Sequence, residues 1–124
     1  MNKKNPDWYQ KTIARLSCYP MLYTRAAILR LRLDPDYHWG ADVPGTAQEA
    51  EKELLELTYS LNEVDYVVGQ LAKDKQELIK LRYFQRGAKD VEVMKQLALS
   101  QSSYYRLRNR TILNVANLFN LYLE

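Results

Sequence analysis

The chain is 124 residues long, with 47% hydrophobic and 27% charged residues, a composition typical of one small globular domain. Cys18 is the sole cysteine, which excludes an intrachain disulfide and fits the reducing cytoplasm. The sequence has one histidine and no glycine-rich phosphate loop with a lysine. We therefore expect no enzymatic activity, no catalytic residues, no metal and no cofactor.

The net charge of +3 is distributed unevenly along the sequence. Residues 1–33 hold seven basic and one acidic residue (+6), residues 34–79 hold three and eleven (−8), and residues 80–124 hold eight and three (+5). A local excess of positive charge attracts a polyanion even when the whole molecule is nearly neutral. The longest uncharged, apolar-rich run, Thr111–Leu123, is too short to span a bilayer, so we expect no membrane partner. Lys3 and Lys4 are not followed by a hydrophobic run before Lys11, so we expect no signal peptide.

Periodic segments of this sequence follow the helical repeat, and sustained strand alternation is missing, so we expect an all-α helical bundle. Asn5-Pro6 predicts the N-cap and first residue of a helix that runs to about Ser17. Pro20 opens a second helix, which ends before Asp34-Pro35 because the residue before proline disfavours helical geometry. The buried face of the second helix is predicted to consist of Leu22, Ala26, Leu29 and Leu33.

The next segment, Asp34–Gly45, is rich in proline and glycine and is predicted to be a loop. The spacing of Asp34, Asp36, His38 and Asp42 is suggestive of a cation site. An EF-hand loop needs a glutamate where Gly45 stands, so we interpret the segment as a solvated linker.

Thr46 and Glu49 form a predicted capping box that opens the longest helix, which extends to about residue 72. Its apolar residues alternate spacings of three and four, as in a coiled coil. They are Ala47, Ala50, Leu54, Leu57, Leu61, Val64, Val68 and Leu71. A homodimeric coiled coil or packing within the chain would bury this seam, and the acidic flanks favour packing against the arginine-rich second helix. Leu55, Tyr59 and Tyr66 lie on another face, so this helix is a candidate for cover on two sides.

Asp74 and Glu77 predict a second capping box, at the start of a helix that runs to about Phe84. Gly87 predicts a break, and a helix over 90–98 follows. Ser100 can cap a last helix that begins at Gln101, which completes a C-terminal helix-turn-helix unit. The core contacts of this unit are predicted at Val93, Leu97, Leu99, Tyr104 and Leu107.

The outer side of the last helix is polar and cationic, as in a recognition helix that enters the major groove of DNA. Gln and Asn pair well with adenine and Arg with guanine, while Ser, Lys and Arg contact phosphates. We therefore predict sequence-specific binding to double-stranded DNA. The predicted DNA-binding residues are Gln101, Ser102, Ser103, Tyr105, Arg106, Arg108, Asn109, Arg110 and Lys95.

Two segments, QELIKLRYFQRG (76–87) and LSQSSYYRLRNRTI (99–112), carry a family resemblance. They resemble the C-terminal part of phage-encoded transcriptional regulators of the RinA and ArpU type, and region 4 of sigma-70-type factors. The matching residues are Leu78, Leu81, Arg82, Tyr83 and Phe84 in the first segment, and Ser100, Ser102 or Ser103, Tyr104, Tyr105 and Arg106 in the second. The chain departs from the pattern at Gln101, where arginine is common, and at VEVMKQL, where the family reads like IAEEL.

This resemblance covers about residues 19–118 and implies a sigma region 4-like helix-turn-helix. It also implies a role in activating late phage genes in the cytoplasm of a bacterial host, with host RNA polymerase as a second candidate partner.

The chain is accordingly divided into an N-terminal helical region (1–73) and a helix-turn-helix DNA-binding unit (74–124), predicted to pack as one compact domain. Two alternatives stay open. The same unit would suit a small terminase-like subunit that assembles as a ring for DNA packaging. A helical protein-interaction module, or a homodimer, would instead use Thr111–Leu123 as its contact. For such a module, replacing Arg106 and Arg108 by alanine should leave partner affinity nearly unchanged.

Overall fold

The computed structural model describes residues 5–40 and 42–121 and contains six helices within those ranges. No strand occurs in the described residues, so the predicted all-α class is confirmed. The helices are α1 (Asp7–Ser17), α2 (Tyr19–Arg32), α3 (Ala47–Gly69), α4 (Lys73–Arg82), α5 (Asp90–Gln96) and α6 (Gln101–Leu118). Among these helices, none is both long enough and apolar enough to cross a membrane.

The core is built from α1, α3, α4, α5 and α6 together. Its most deeply buried apolar side chains are Leu16, Val64, Leu78, Ile79, Val93, Tyr104, Ile112 and Val115. The predicted N-terminal region and the predicted helix-turn-helix unit therefore share one core. α1 runs parallel to α6, because the Tyr9 hydroxyl lies 3.3 Å from Asn109 Oδ1 and the Arg15 guanidinium lies 4.7 Å from the centre of the Phe119 ring.

α2 and α3 form an antiparallel pair within the chain. The heptad seam of α3 faces its own chain, with Ala50, Leu61 and Val64 buried, as the charge pattern of its flanks favours. Arg25 donates two hydrogen bonds to the carboxylate of Glu53, from Nε at 2.8 Å and from a terminal nitrogen at 2.9 Å. The predicted complementarity between arginines of the second helix and acids of the third is therefore confirmed.

Two of the predicted helix starts are confirmed. Thr46 accepts a hydrogen bond from the backbone N–H of Glu49 at 3.2 Å, and its hydroxyl donates to the Glu49 carboxylate at 3.1 Å. Ser100 accepts the backbone N–H of Ser103 at 3.2 Å. Both hydroxyls satisfy a donor that would otherwise be unpaired in the first helical turn.

The starts of α1 and α4 differ from the prediction. Pro6 occupies the N-cap of α1, one residue later than the predicted cap at Asn5. The predicted cap at Asp74 is wrong, since α4 begins at Lys73 after an N-cap at Ala72 that has no side-chain hydrogen bond. The side-chain amide of Gln76 donates to the Leu71 carbonyl at 2.8 Å, so the turn after α3 is tight and α4 starts early. Asp74 lies inside the first turn, where its negative charge still favours the helix dipole.

Candidate nucleic-acid interface

A four-residue turn, Leu97 to Ser100, joins α5 to α6. Ala98 adopts φ +56°, in the left-handed region, directly after the end of α5. The backbone N–H of Leu99 donates to the Met94 carbonyl at 3.1 Å, which closes the end of α5. Left-handed geometry costs a residue with a Cβ about 1–2 kcal/mol, so the contacts on both sides of the turn must hold it in place.

The exposed face of the first half of α6 is formed by polar and cationic side chains. Ser102, Arg106 and Arg110 are exposed and lie four residues apart, so they form one line along the helix, with exposed Gln101 at its start. We call these four residues the α6 ridge. Tyr104 points in the opposite direction and is completely buried. The backbone of α6 thus presents the ridge to solvent while the tyrosine anchors the helix in the core.

Two more of the predicted DNA-binding residues, Ser103 and Tyr105, lie at the margin of the ridge and are half-buried. The Ser103 hydroxyl accepts a hydrogen bond from Ser100 at 3.0 Å and so belongs to the cap. The Tyr105 ring packs edge-on against Tyr104 at 5.3 Å, and the Arg108 guanidinium lies 4.8 Å from its centre. Tyr105 therefore forms one wall of the ridge.

The remaining predicted residues are Arg108, Asn109 and Lys95, and two of them make contacts within the chain. Arg108 turns inward, with 21% of its side chain exposed and one terminal nitrogen 3.2 Å from Asp90 Oδ2. Asn109 is exposed, but its carbonyl oxygen accepts the Tyr9 hydroxyl, which connects α6 to α1. Lys95 is exposed on α5. The structure therefore brings Gln101, Ser102, Arg106 and Arg110 together. Exposed Asn109 lies on the same side of α6, three residues after Arg106, whereas Arg108 is turned inward.

Asp90 is the residue that sequence reasoning missed. Its carboxylate accepts hydrogen bonds from Arg82 Nε at 2.8 Å and from the Tyr104 hydroxyl at 2.6 Å, besides the contact with Arg108. One carboxylate at the start of α5 thus binds side chains from α4 and α6. The partners lie 8, 14 and 18 residues away in the sequence, so no local spacing identifies the group.

The electrostatics of this cluster keep Asp90 ionised. Burial by itself would raise the pKa of the Asp90 carboxyl. The hydrogen bonds from Tyr104 and Arg82, with the positive charges of Arg82 and Arg108, outweigh burial and hold that pKa below its ordinary value. Burial, followed by the hydrogen bond to Asp90, raises the pKa of Tyr104 well above that of a free tyrosine, so Tyr104 stays a hydrogen-bond donor.

The segment of the chain that leads into and includes the ridge is strongly basic. Residues 80–110 contain eight Lys and Arg against two acids, Asp90 and Glu92. Asp90 is already paired with two arginines, and α6 itself contains no acidic residue. No carboxylate of α6 therefore competes with an external anion for Arg106 and Arg110.

The second half of α6 returns to the core. Ile112, Val115 and Ala116 are buried, while Leu113 and Leu118 are exposed. The described part of the predicted contact segment, 111–121, is therefore divided between packing within the chain and exposure to solvent. Tyr122, which belonged to that segment, lies outside the described residues.

Comparisons of the chain with protein-family models, with curated proteins and with solved structures found no match. What the α6 ridge can bind is therefore inferred from its own chemistry.

Proposed function

We propose that this protein is a DNA-binding transcription regulator that places the α6 ridge in the major groove of double-stranded DNA. The observation that carries the proposal is the contrast between the two faces of α6. Tyr104 is buried on one face, and the polar and cationic ridge is exposed on the other. An α-helix fits the major groove, and its N-terminal residues then reach the base edges.

Each residue of the ridge has a role in the proposed complex. Gln101 and Arg106 are the base-reading residues, since an amide pairs with adenine and a guanidinium with guanine. Ser102 and Arg110 contact phosphates, as do the N–H groups at the start of α6, where the helix dipole is positive. Lys95 on α5 adds a further phosphate contact.

Arg108 supports the ridge from behind in this proposal. Its guanidinium is held by Asp90 and lies over the Tyr105 ring, so it fixes the wall of the ridge rather than contacting phosphate. Preorganisation of this kind lowers the side-chain entropy that DNA binding would otherwise cost.

The biological role in the proposal follows from the resemblance to RinA and ArpU regulators and to sigma region 4. On that basis the protein acts in the bacterial cytoplasm on phage late promoters. Contact with host RNA polymerase is the second step of the same proposal.

The first experiment is selection of bound fragments from the genome that encodes the protein, followed by fluorescence anisotropy on the selected site. Arg106→Ala should weaken binding to that site by about 1–3 kcal/mol and relax preference at one base pair. For the natural protein, log Kd should rise linearly with the logarithm of the salt concentration, because phosphate contacts release counterions.

The matched control is Arg30→Ala, which removes the same charge from an exposed position on α2. It should leave the affinity for the selected site unchanged. A salt-independent affinity, or an equal effect of Arg30→Ala and Arg106→Ala, would rule out the α6 ridge as the DNA-binding surface.

A further inference from the structure

Exposed apolar side chains of this protein are concentrated on one pair of helices. Of ten large hydrophobic side chains that are exposed in the described residues, seven lie on α2 and α3. They are Met21, Tyr23, Ile28 and Leu31 on α2, and Leu55, Tyr59 and Tyr66 on α3. Scattered apolar residues are ordinary on protein surfaces, whereas a contiguous row marks an interaction surface.

On α2 the exposed row consists of Met21, Ile28 and Leu31, which we call the α2 stripe. These residues are seven and three positions apart and therefore share one helical face. Leu31 is 71% exposed, although it lies between Arg30 and Arg32 in sequence. The opposite face of α2, with Ala26 and Leu29, is buried.

On α3 the exposed row consists of Leu55, Tyr59 and Tyr66, which we call the α3 stripe. Their spacings of four and seven again define one face, and the two tyrosines are 67% and 72% exposed. Leu61 and Val64 lie on the other side of α3 and are buried. The two stripes therefore lie on the two outer sides of the α2–α3 pair and face away from each other.

The stripes match in length and are opposite in charge. Each spans about 15–17 Å along its helix, at 1.5 Å per residue. α2 carries three arginines and no acid, whereas α3 carries six acids and one lysine. We propose that copies of this protein associate head to tail, with the α2 stripe of one copy packed against the α3 stripe of the next.

Pairing of like stripes is disfavoured by the same charges. Two α2 stripes would bring Arg32, which lies four residues after Ile28, against the same arginine of the other copy, and two α3 stripes would bring Glu51 and Glu56 against acids. The pair inside each chain shows the favourable combination, since Arg25 binds Glu53 through two hydrogen bonds. Half-buried Arg32 beside the α2 stripe, and exposed Glu51 and Glu56 beside the α3 stripe, offer the same type of contact between copies.

A contact between two different surfaces is heterologous, so it does not stop at a dimer. Each copy leaves one stripe free, and further copies add until a ring closes or an open chain forms. This assembly goes beyond DNA binding and does not depend on it, because neither stripe includes a residue of the α6 ridge.

The test uses two neutral double variants, Met21→Gln/Leu31→Gln on the α2 stripe and Tyr59→Gln/Tyr66→Gln on the α3 stripe. Mass is measured by sedimentation and light scattering over a concentration series. The natural protein should exceed twice the 14.6 kDa of one chain, and each variant alone should stay at one chain mass. An equimolar mixture of the two variants should form a dimer and nothing larger, because it contains one intact pair of stripes.

Val91→Gln removes an exposed apolar residue outside both stripes and should assemble like the natural protein. Circular dichroism and thermal unfolding verify that each double variant is folded. A monomeric natural protein at every concentration overturns the proposal. So does a mixture that stays monomeric, or an α2-stripe variant that still dimerises, since the latter indicates pairing of like stripes.

Discussion

The two longest helices, α3 and α6, use their inner faces alike and their outer faces differently. Both bury a continuous apolar row, which includes Leu61 and Val64 on α3 and Ile112 and Val115 on α6. The exposed face of α6 is cationic and polar, whereas the exposed face of α3 is acidic with large apolar residues. The inner faces determine how the chain packs, and the outer faces determine which kind of partner each helix suits.

The largest expected effect comes from the one side chain that anchors α6. Tyr104→Ala should lower the free energy of unfolding by about 3–5 kcal/mol, because it empties a fully buried aromatic site. Tyr66→Ala, at a 72% exposed tyrosine of α3, should change it by less than about 0.5 kcal/mol. Urea denaturation followed by circular dichroism measures both.

Should Tyr104→Ala fail to fold, Tyr104→Phe keeps the ring and removes the bond to Asp90, with an expected loss of about 1–3 kcal/mol. Equal effects at Tyr104 and Tyr66 would remove the distinction between anchored and exposed faces.

A smaller effect is expected at Asp90. Asp90→Asn should lower the free energy of unfolding at neutral pH by about 1–3 kcal/mol, because Arg82 and Arg108 lose their partly buried counterion. The exposed neighbour Glu92 provides the control, and Glu92→Gln should have little effect.

The sign of the pH dependence follows from the lowered pKa of Asp90 in the folded state. Its stabilising contribution is complete when the pH is above the ordinary pKa of an aspartate, about 4. It is lost as the pH falls through the lower pKa of the folded state. The difference between the natural protein and Asp90→Asn should therefore narrow in acid. A difference that grows in acid would contradict the assigned hydrogen bonds.

Removal of the α3 cap and removal of the α6 cap should have effects of about equal size on stability. Ser100→Ala and Thr46→Ala should each lower the free energy of unfolding by about 1 kcal/mol, because each leaves a first-turn N–H unsatisfied. Only Ser100→Ala should also weaken DNA affinity, since Ser100 sets the start of the α6 ridge. If Thr46→Ala weakens DNA binding equally, the effect is one of general stability.

The smallest expected effect is on the salt dependence of DNA binding. Lys95→Ala should reduce the slope of log Kd against log salt by about 1, the value expected for the loss of one phosphate contact. The free energy of unfolding should change by less than about 0.5 kcal/mol. Lys52→Ala on α3 removes an equal charge from an exposed position and should leave the slope unchanged. Identical slopes for both variants would place Lys95 outside the DNA contact.

Features that depend on neighbouring residues could be predicted from the sequence. The heptad seam of α3 and the caps at Thr46 and Ser100 each follow from a short spacing with a known physical cause. The inward direction of Tyr104 followed from the same helical periodicity. These predictions agree with the structure because the tertiary contacts reinforce the local preference.

Features that depend on the folded arrangement could not be predicted. Arg108 has the charge and the sequence position expected of a phosphate contact. In the folded chain, however, it pairs with Asp90 at the start of α5 and is turned inward. Tyr9 lies 100 residues before Asn109 in the sequence, so the hydrogen bond between them could not be predicted from local spacing. The start of α4 shifted because Gln76 closes the preceding turn, a contact that competes with the capping preference of Asp74.

Ala98 has a consequence for how firmly the orientation of α6 is held. A glycine at this turn would adopt the left-handed φ without steric cost, whereas alanine disfavours that φ and must be held in it by the surrounding contacts. Such a turn keeps its angle only as long as contacts between α5 and α6 hold it, and the hydrogen bond from Tyr104 to Asp90 is one of these contacts. Loss of that hydrogen bond should therefore let the whole of α6 change its orientation, so a substitution away from the α6 ridge would alter what the ridge can bind.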